Sequence, residues 1–259
     1  MLYFRKIAEE IFVRVKNFFS GLVGFVEDLL FPEYACFICG REAKDQDYHM
    51  CDECKKTFPF IKGELCFKCG HPVLEGNDYC DRCRSYNYDF DEARAVFEYD
   101  KETKGRILGI KYNNQKYLAK FFARLMLDTL TEWGIDVDFI IPVPISRSRR
   151  RVRGFNQTEL IAYALADLTG LPVMTKIVEK KDDSKIQKDL GLRERFENMK
   201  GMFELDKRYN LKGKNILIVD DVFTTGATVS EISRTLRKSN PNRVYVLTAG
   251  KTLMRRDFY

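Results

Sequence analysis

Eight cysteines confined to one stretch constrain this chain more than any other feature. They form four C-x-x-C pairs between Cys36 and Cys83, and the pairs repeat as a unit. Cys36-Phe-Ile-Cys39-Gly40 leads to Tyr48 and then Cys51-Asp-Glu-Cys54. Cys66-Phe-Lys-Cys69-Gly70 leads to Tyr79 and then Cys80-Asp-Arg-Cys83. Each half supplies the four thiols that a structural zinc ion takes up in a tetrahedron. The glycine after each first pair suits a tight knuckle whose amides face the sulfurs. Four thiolates leave no position for water, so both sites are structural rather than catalytic. Duplication favours self-contained sites over shared ones. Cys36, Cys39, Cys51 and Cys54 then hold one zinc, and Cys66, Cys69, Cys80 and Cys83 the other. His49 and His71 stand beside complete ligand sets and read as bystanders. Whether such a ribbon touches nucleic acid, a partner protein or only its own fold is left open by the spacing.

Metal is favoured over disulfides because no secretory signal is visible at the N-terminus. The longest apolar run there, Gly21 to Val26, is far too short to span a bilayer. A cytoplasmic protein with metal-bound thiols and no transmembrane segment is the expectation. The 259 residues, 45% hydrophobic and 32% charged, suffice for one moderate domain and a smaller module. A formal charge of +6 suits anionic partners without demanding them, and serves solubility equally well.

Three regions follow along the chain. Residues 1–31 predict an amphipathic helix, with Phe4, Ile7, Ile11, Val15, Phe18, Leu22, Val26 and Leu29 on one face. That face packs on the rest of the protein, on a second copy, or on a membrane surface, a reading weakened by Glu9, Glu10, Glu27 and Asp28. Residues 32–86 form the cysteine module, opened at Phe31-Pro32. Residues 87–259 alternate strands with helices, the pattern of a parallel α/β sheet. Strands are predicted near 93–99, 138–143, 172–178, 215–219 and 243–249, and helices near 102–112, 116–133, 156–169 and 227–239.

Within the third region, Ile216-Leu-Ile-Val219 is an apolar run suited to a strand buried on both faces. Asp220 and Asp221 follow it, and then Val222, Phe223, Thr224, Thr225, Gly226, Ala227 and Thr228 lead into a helix. Ligands of open α/β sheets bind at the carboxyl ends of strands. A turn of small and hydroxylated residues there aims amides and hydroxyls into one concavity, and the helix adds its positive end. The result is a site for a phosphate monoester, with two carboxylates able to accept hydrogen bonds from ribose hydroxyls. An aspartate N-cap and an ordinary turn explain one aspartate and one threonine but not the string.

A second element begins at Phe139-Ile-Ile-Pro-Val-Pro144. A very basic loop follows, with Arg147, Arg149, Arg150, Arg151 and Arg153, before Gly154-Phe-Asn-Gln157 opens a helix. Three readings stand for the arginines: contact with a pyrophosphate, a solvated surface, or contact with a nucleic-acid backbone.

Residues 216–228 resemble the phosphoribosyl pyrophosphate (PRPP) signature of the type I phosphoribosyltransferases. Arg153-Gly-Phe-Asn-Gln157 after Pro-Val-Pro, together with the cysteine module, resembles the ComF family of competence proteins, which includes the GntX-type proteins. Lys111-Tyr112 and Gln187 followed by Arg193, Arg195, Asn198 and Gly201-Met-Phe203 add to the likeness, which spans roughly residues 25–250. It implies a Rossmann-like parallel sheet with a mobile hood, preceded by a double zinc ribbon. It implies PRPP with Mg²⁺ as ligand, with Asp220 and Asp221 catalytic and residues 220–228 holding ribose and 5′-phosphate. Arg153, Gly154, Asn156, Gln157, Lys111, Gln187 and Arg195 fall to the pyrophosphate and the hood. Two functions follow from the likeness: phosphoribosyl transfer to a nitrogenous acceptor, or a non-catalytic or PRPP-sensing competence factor that binds single-stranded DNA and other DNA-processing proteins in DNA uptake and natural transformation.

Overall fold

The computed structural model of the chain describes residues 36, 38–43, 50–100, 103–104, 118–181 and 192–253. The helix expected over 1–31, most of that over 102–112, and Tyr48, His49, Lys111, Tyr112 and Gln187 lie outside the described residues. The chain divides into two compact units, Met1–Phe58 and Pro59–Tyr259, and the division falls between the two cysteine quartets. In the first unit, α1 (Asp52–Thr57) starts directly after Cys51 and carries Asp52 and Glu53 in its first turn, where acids complement the helix dipole.

The second unit opens with a cysteine-bearing segment that ends in α2 (Asp81–Ser85). Then come β1 (Glu92–Glu98), α3 (Leu118–Trp133), β2 (Phe139–Pro142), α4 (Arg147–Arg153) and α5 (Gln157–Thr169). They are followed by β3 (Val178–Lys180), α6 (Leu192–Met199), β4 (Phe203–Leu205), β5 (Asn215–Phe223), α7 (Ala227–Arg237) and β6 (Arg243–Lys251). β1, β6, β5 and β2 lie in that order in one parallel sheet. Ile216 to Val219 and Val244, Val246 and Leu247 are fully buried, as expected of central strands covered on both faces. Helix α3 turns Leu118, Phe121, Phe122, Leu125 and Met126 inward at three- and four-residue spacing.

Three expectations need correction. The strand predicted at 172–178 is reduced to one parallel bridge between Val173 and Ile140, after which β3 pairs antiparallel with β4 in a separate ribbon. The basic segment predicted as a loop is helix α4. Ser146 caps it by accepting from the Arg149 amide at 3.4 Å, and Gly154 ends it at φ 77°. Arginine is a good helix former, and a run whose one apolar residue is Val152 shows no hydrophobic period. Strand β5 also outruns its apolar stretch. Val222 and Phe223 pair with Gly250 and Lys251 of β6, so Asp220 and Asp221 sit inside the strand and not after it.

Candidate functional site

The ligand atoms of Cys36, Cys39, Cys51 and Cys54 lie within 4.8 Å of one another, and those of Cys66, Cys69, Cys80 and Cys83 do the same. Sulfurs of Cys39 and Cys51 are 3.7 Å apart, as are those of Cys69 and Cys80. A tetrahedron with metal–sulfur bonds of about 2.3 Å has edges of about 3.8 Å. The two quartets therefore fit zinc, and each half of the repeat closes its own site. The backbone amide and then the Nε of Arg41 hold the Cys39 thiol down at about 6, favouring the thiolate that zinc requires. In the second unit Cys66, Cys69 and Cys80 belong to the same buried core as Ile216, Ile218 and Phe223. His71 is buried nearby, outside the quartet.

At the carboxyl end of β5, the turn Thr224-Thr225-Gly226 passes directly into α7. Asp220, Val222, Thr224, Gly226, Ala227 and Thr228 line a concavity there. Gly226 has φ 80°, and a Cβ on it would stand 2.5 Å from Cζ of Phe223 and 2.7 Å from Cε1 of Tyr88. Only glycine meets both the angle and the space. Asp220 and Asp221, being successive strand residues, project to opposite faces. Asp220 joins the concavity, whereas the buried Asp221 accepts a hydrogen bond at 3.2 Å from Nε2 of Gln157 on α5.

That bond brings the two sequence motifs together. Arg153 donates to Oε1 of Gln157 at 3.1 Å, placing an arginine, an amide and a carboxylate in series. Asn156 and Thr158 both donate to the carbonyl of Val143, at 3.0 and 2.6 Å, so the start of α5 is fastened to the Pro-Val-Pro segment. Asn156 is also the N-cap of α5, and Gly154 the end of α4, which gives both a local structural task. Farther along α4, Arg147 pairs with Glu179 and Arg150 with Glu159.

The hood residues that are described rest on α7. The amide of Gly201 donates to Glu231 at 2.7 Å, and Arg234 pairs with the same buried carboxylate. Thr228 reaches Sδ of Met199 at 3.5 Å. Phe196 packs on Tyr86 with ring centroids 4.0 Å apart. Arg195, on the same helix as Phe196, is exposed.

Sequence reading missed the groups behind the turn. Arg82 donates to the Thr224 carbonyl at 3.2 Å and the Tyr88 hydroxyl to the Thr225 carbonyl at 3.0 Å. Lys251 is fully buried with its ammonium 3.6 Å from the centroid of the Phe223 ring. Burial pushes its pKa down, and the Cys69 thiolate opposes that. These partners come from segments 137 and 142 residues away, and no local pattern marks them.

A double zinc ribbon domain matches residues 26–84 and a phosphoribosyl transferase domain residues 160–253. The chain is 27% identical to competence protein F of Haemophilus influenzae over 225 residues, covering 83% of this chain and 96% of that one. It is 27% identical to the DNA utilization protein YhgH of Escherichia coli K12 over 223 residues, 84% and 97% of the two chains. Against competence protein ComFC of Streptococcus pneumoniae the figures are 27% over 224 residues, 81% and 96%. The fold and the site thus define a phosphoribosyltransferase-fold protein with an N-terminal double zinc ribbon. Within that class, the chain is similar over most of its length to proteins named competence protein F, ComFC and YhgH.

Proposed function

We propose that the protein binds PRPP with Mg²⁺ at the carboxyl ends of β2 and β5 and transfers its phosphoribosyl group to a nitrogenous acceptor. The observation that carries this reading is the Gln157–Asp221 bond, which joins the basic Arg153 element to the strand bearing the turn. An anion site at the turn and a cationic group beyond Asp221 suit a ligand with phosphate at both ends of a ribose.

In this reading the amides and hydroxyls of Thr224 to Thr228 hold the 5′-phosphate. Asp220, in the concavity, accepts from ribose hydroxyls, and Asp221, on the opposite face of β5, is held by Gln157 beside the Arg153 element. Their field favours the positive charge that grows on the ribose as the bond from the anomeric carbon to pyrophosphate breaks and the carbon–nitrogen bond forms. Mg²⁺ belongs to the substrate complex, and the oxygen-rich lining suits such a hard cation. Arg153 and Arg195 serve the pyrophosphate and the hood, which excludes water.

Release of pyrophosphate from PRPP tests this reading, with Mg²⁺ and a panel of nitrogenous bases, amines and amides. Release that needs Mg²⁺ and an acceptor, and that vanishes in Asp220→Ala, is expected. Intact PRPP with every acceptor contradicts transfer.

A second reading rests on α4, where Arg149, Arg150, Arg151 and Val152 are all exposed, Val152 at 87%. Relatives named for competence and DNA utilization agree with a protein that contacts single-stranded DNA there. Retarded migration of an oligonucleotide, weakened by salt and by Arg149→Glu with Arg151→Glu, is its expected sign.

A further inference from the structure

We infer that Arg82 and Tyr88, from the second zinc ribbon and the segment after it, are positioning residues that aim the phosphate-binding amides of the turn. The inference rests on the PRPP reading above. Arg82 sits inside the last cysteine pair, Cys80-Asp-Arg-Cys83, and donates to the carbonyl of Thr224 at 3.2 Å. The hydroxyl of Tyr88 donates to the carbonyl of Thr225 at 3.0 Å. In a trans peptide the carbonyl and the following amide point in opposite directions. Fixing the Thr224 and Thr225 carbonyls toward the ribbon therefore turns the Thr225 and Gly226 amides away from it. Neither amide donates to a protein acceptor among the described residues.

The anchors are held firmly. Tyr88 is 3% exposed, stacks on Phe90 with centroids 4.9 Å apart and meets Phe223 edge-on. A Cβ at position 226 would strike this same ring, so the turn is moulded against Tyr88. Ser230, one turn into α7, donates to Asp89 at 2.9 Å and accepts from the Asp89 amide at 3.1 Å. Arg82 lies between Cys80 and Cys83 of the second quartet, so zinc held there would fix the backbone from which Arg82 extends. The ribbon acts through Arg82 and Tyr88 as a template for the turn.

The test compares full-length wild type with Tyr88→Phe and Arg82→Gln, each checked for two zinc ions per chain. Ribose 5-phosphate and inorganic pyrophosphate are titrated separately by calorimetry, and amide resonances are followed by NMR. Each variant is expected to weaken ribose 5-phosphate about fivefold, the cost of one modest hydrogen bond, and to leave pyrophosphate binding unchanged. The free-state Thr225 and Gly226 amide signals should move more than any others in the turn. Equal ribose 5-phosphate affinity in wild type and both variants overturns the inference and leaves the PRPP reading standing. Parallel loss of both ligands also overturns it, because that marks a general structural defect. A wild type that binds neither ligand removes the PRPP reading and this inference with it. Tyr88→Phe, which deletes one oxygen remote from the thiols, decides the matter if Arg82→Gln loses zinc.

Discussion

Nε2 of Gln157 stands 3.2 Å from Oδ2 of Asp221, joining two motifs 64 residues apart. Both side chains are buried, at 6% exposure each, and burial makes the bond consequential. Removing the donor leaves a buried carboxylate short of one partner. Gln157→Leu is expected to lower unfolding stability by about 1–3 kcal/mol in urea titration, the range for a lost bond to a charged group. PRPP affinity should fall with it, by roughly two- to tenfold if half of that cost bears on the bound geometry. Unchanged stability and unchanged affinity would show that the bond has no energetic role.

Gly226→Ala tests the turn itself. The alanine meets both a left-handed backbone angle and the two aromatic rings. The angle alone costs about 1–2 kcal/mol, and the ring contacts add to it. A thermal melt should therefore fall by more than that angle term, and ribose 5-phosphate binding should be lost. A variant as stable as wild type would mean that the turn adopts another path.

The two zinc sites are expected to respond differently to cysteine loss. Cys69 is 2% exposed in the same core as Ile216 and Phe223, whereas Cys39 is exposed and belongs to the other compact unit. Cys69→Ser should destabilise the α/β unit by on the order of 3 kcal/mol or more, since structural zinc contributes directly to folding. Cys39→Ser should release one zinc and leave the main cooperative melt in place. Hydrogen exchange of the Ile216–Val219 amides separates the two outcomes. Equal protection in both variants would contradict the assignment of the second ribbon to that core.

How far these relationships were legible in the sequence depends on range. The cysteine repeat revealed both quartets, because ligand number and spacing are local. The apolar run Ile216–Val219 and the glycine of the turn were equally readable. The length of β5 was not, because Val222 and Phe223 become strand only by pairing with Gly250 and Lys251. That extension also separates Asp220 from Asp221 across the sheet. Helix α4 was not legible because its one apolar residue, Val152, sets no period. Arg82 and Tyr88 could not be found at all from spacing, since their partners are carbonyls of a distant turn.

A pH response follows from Asp138. One oxygen pairs with Lys214 at 2.8 Å and the other accepts from the Asn215 amide at 2.8 Å, tying the approach to β2 to the start of β5. The Lys214 hydrogen bond first, and then the Asn215 amide, hold its pKa below the ordinary carboxylate value. A depressed folded-state pKa stabilises above the unfolded value of about 3.9, and the benefit is lost as pH falls through the folded value. Asp138→Asn should therefore be less stable than wild type at pH 7, with the gap closing below about pH 4. Chemical denaturation at several pH values checks this. A constant gap would mean that ionisation of Asp138 is not the cause.

The most direct test of the central claim is calorimetric titration of PRPP with Mg²⁺ into the full-length, zinc-replete protein and its Asp220→Ala variant. One PRPP per chain is expected for wild type, with a Kd in the micromolar range corresponding to about −8 kcal/mol, and at least tenfold weaker binding for the variant. No heat of binding by wild type, or equal affinity in the two proteins, would contradict a PRPP site at the end of β5.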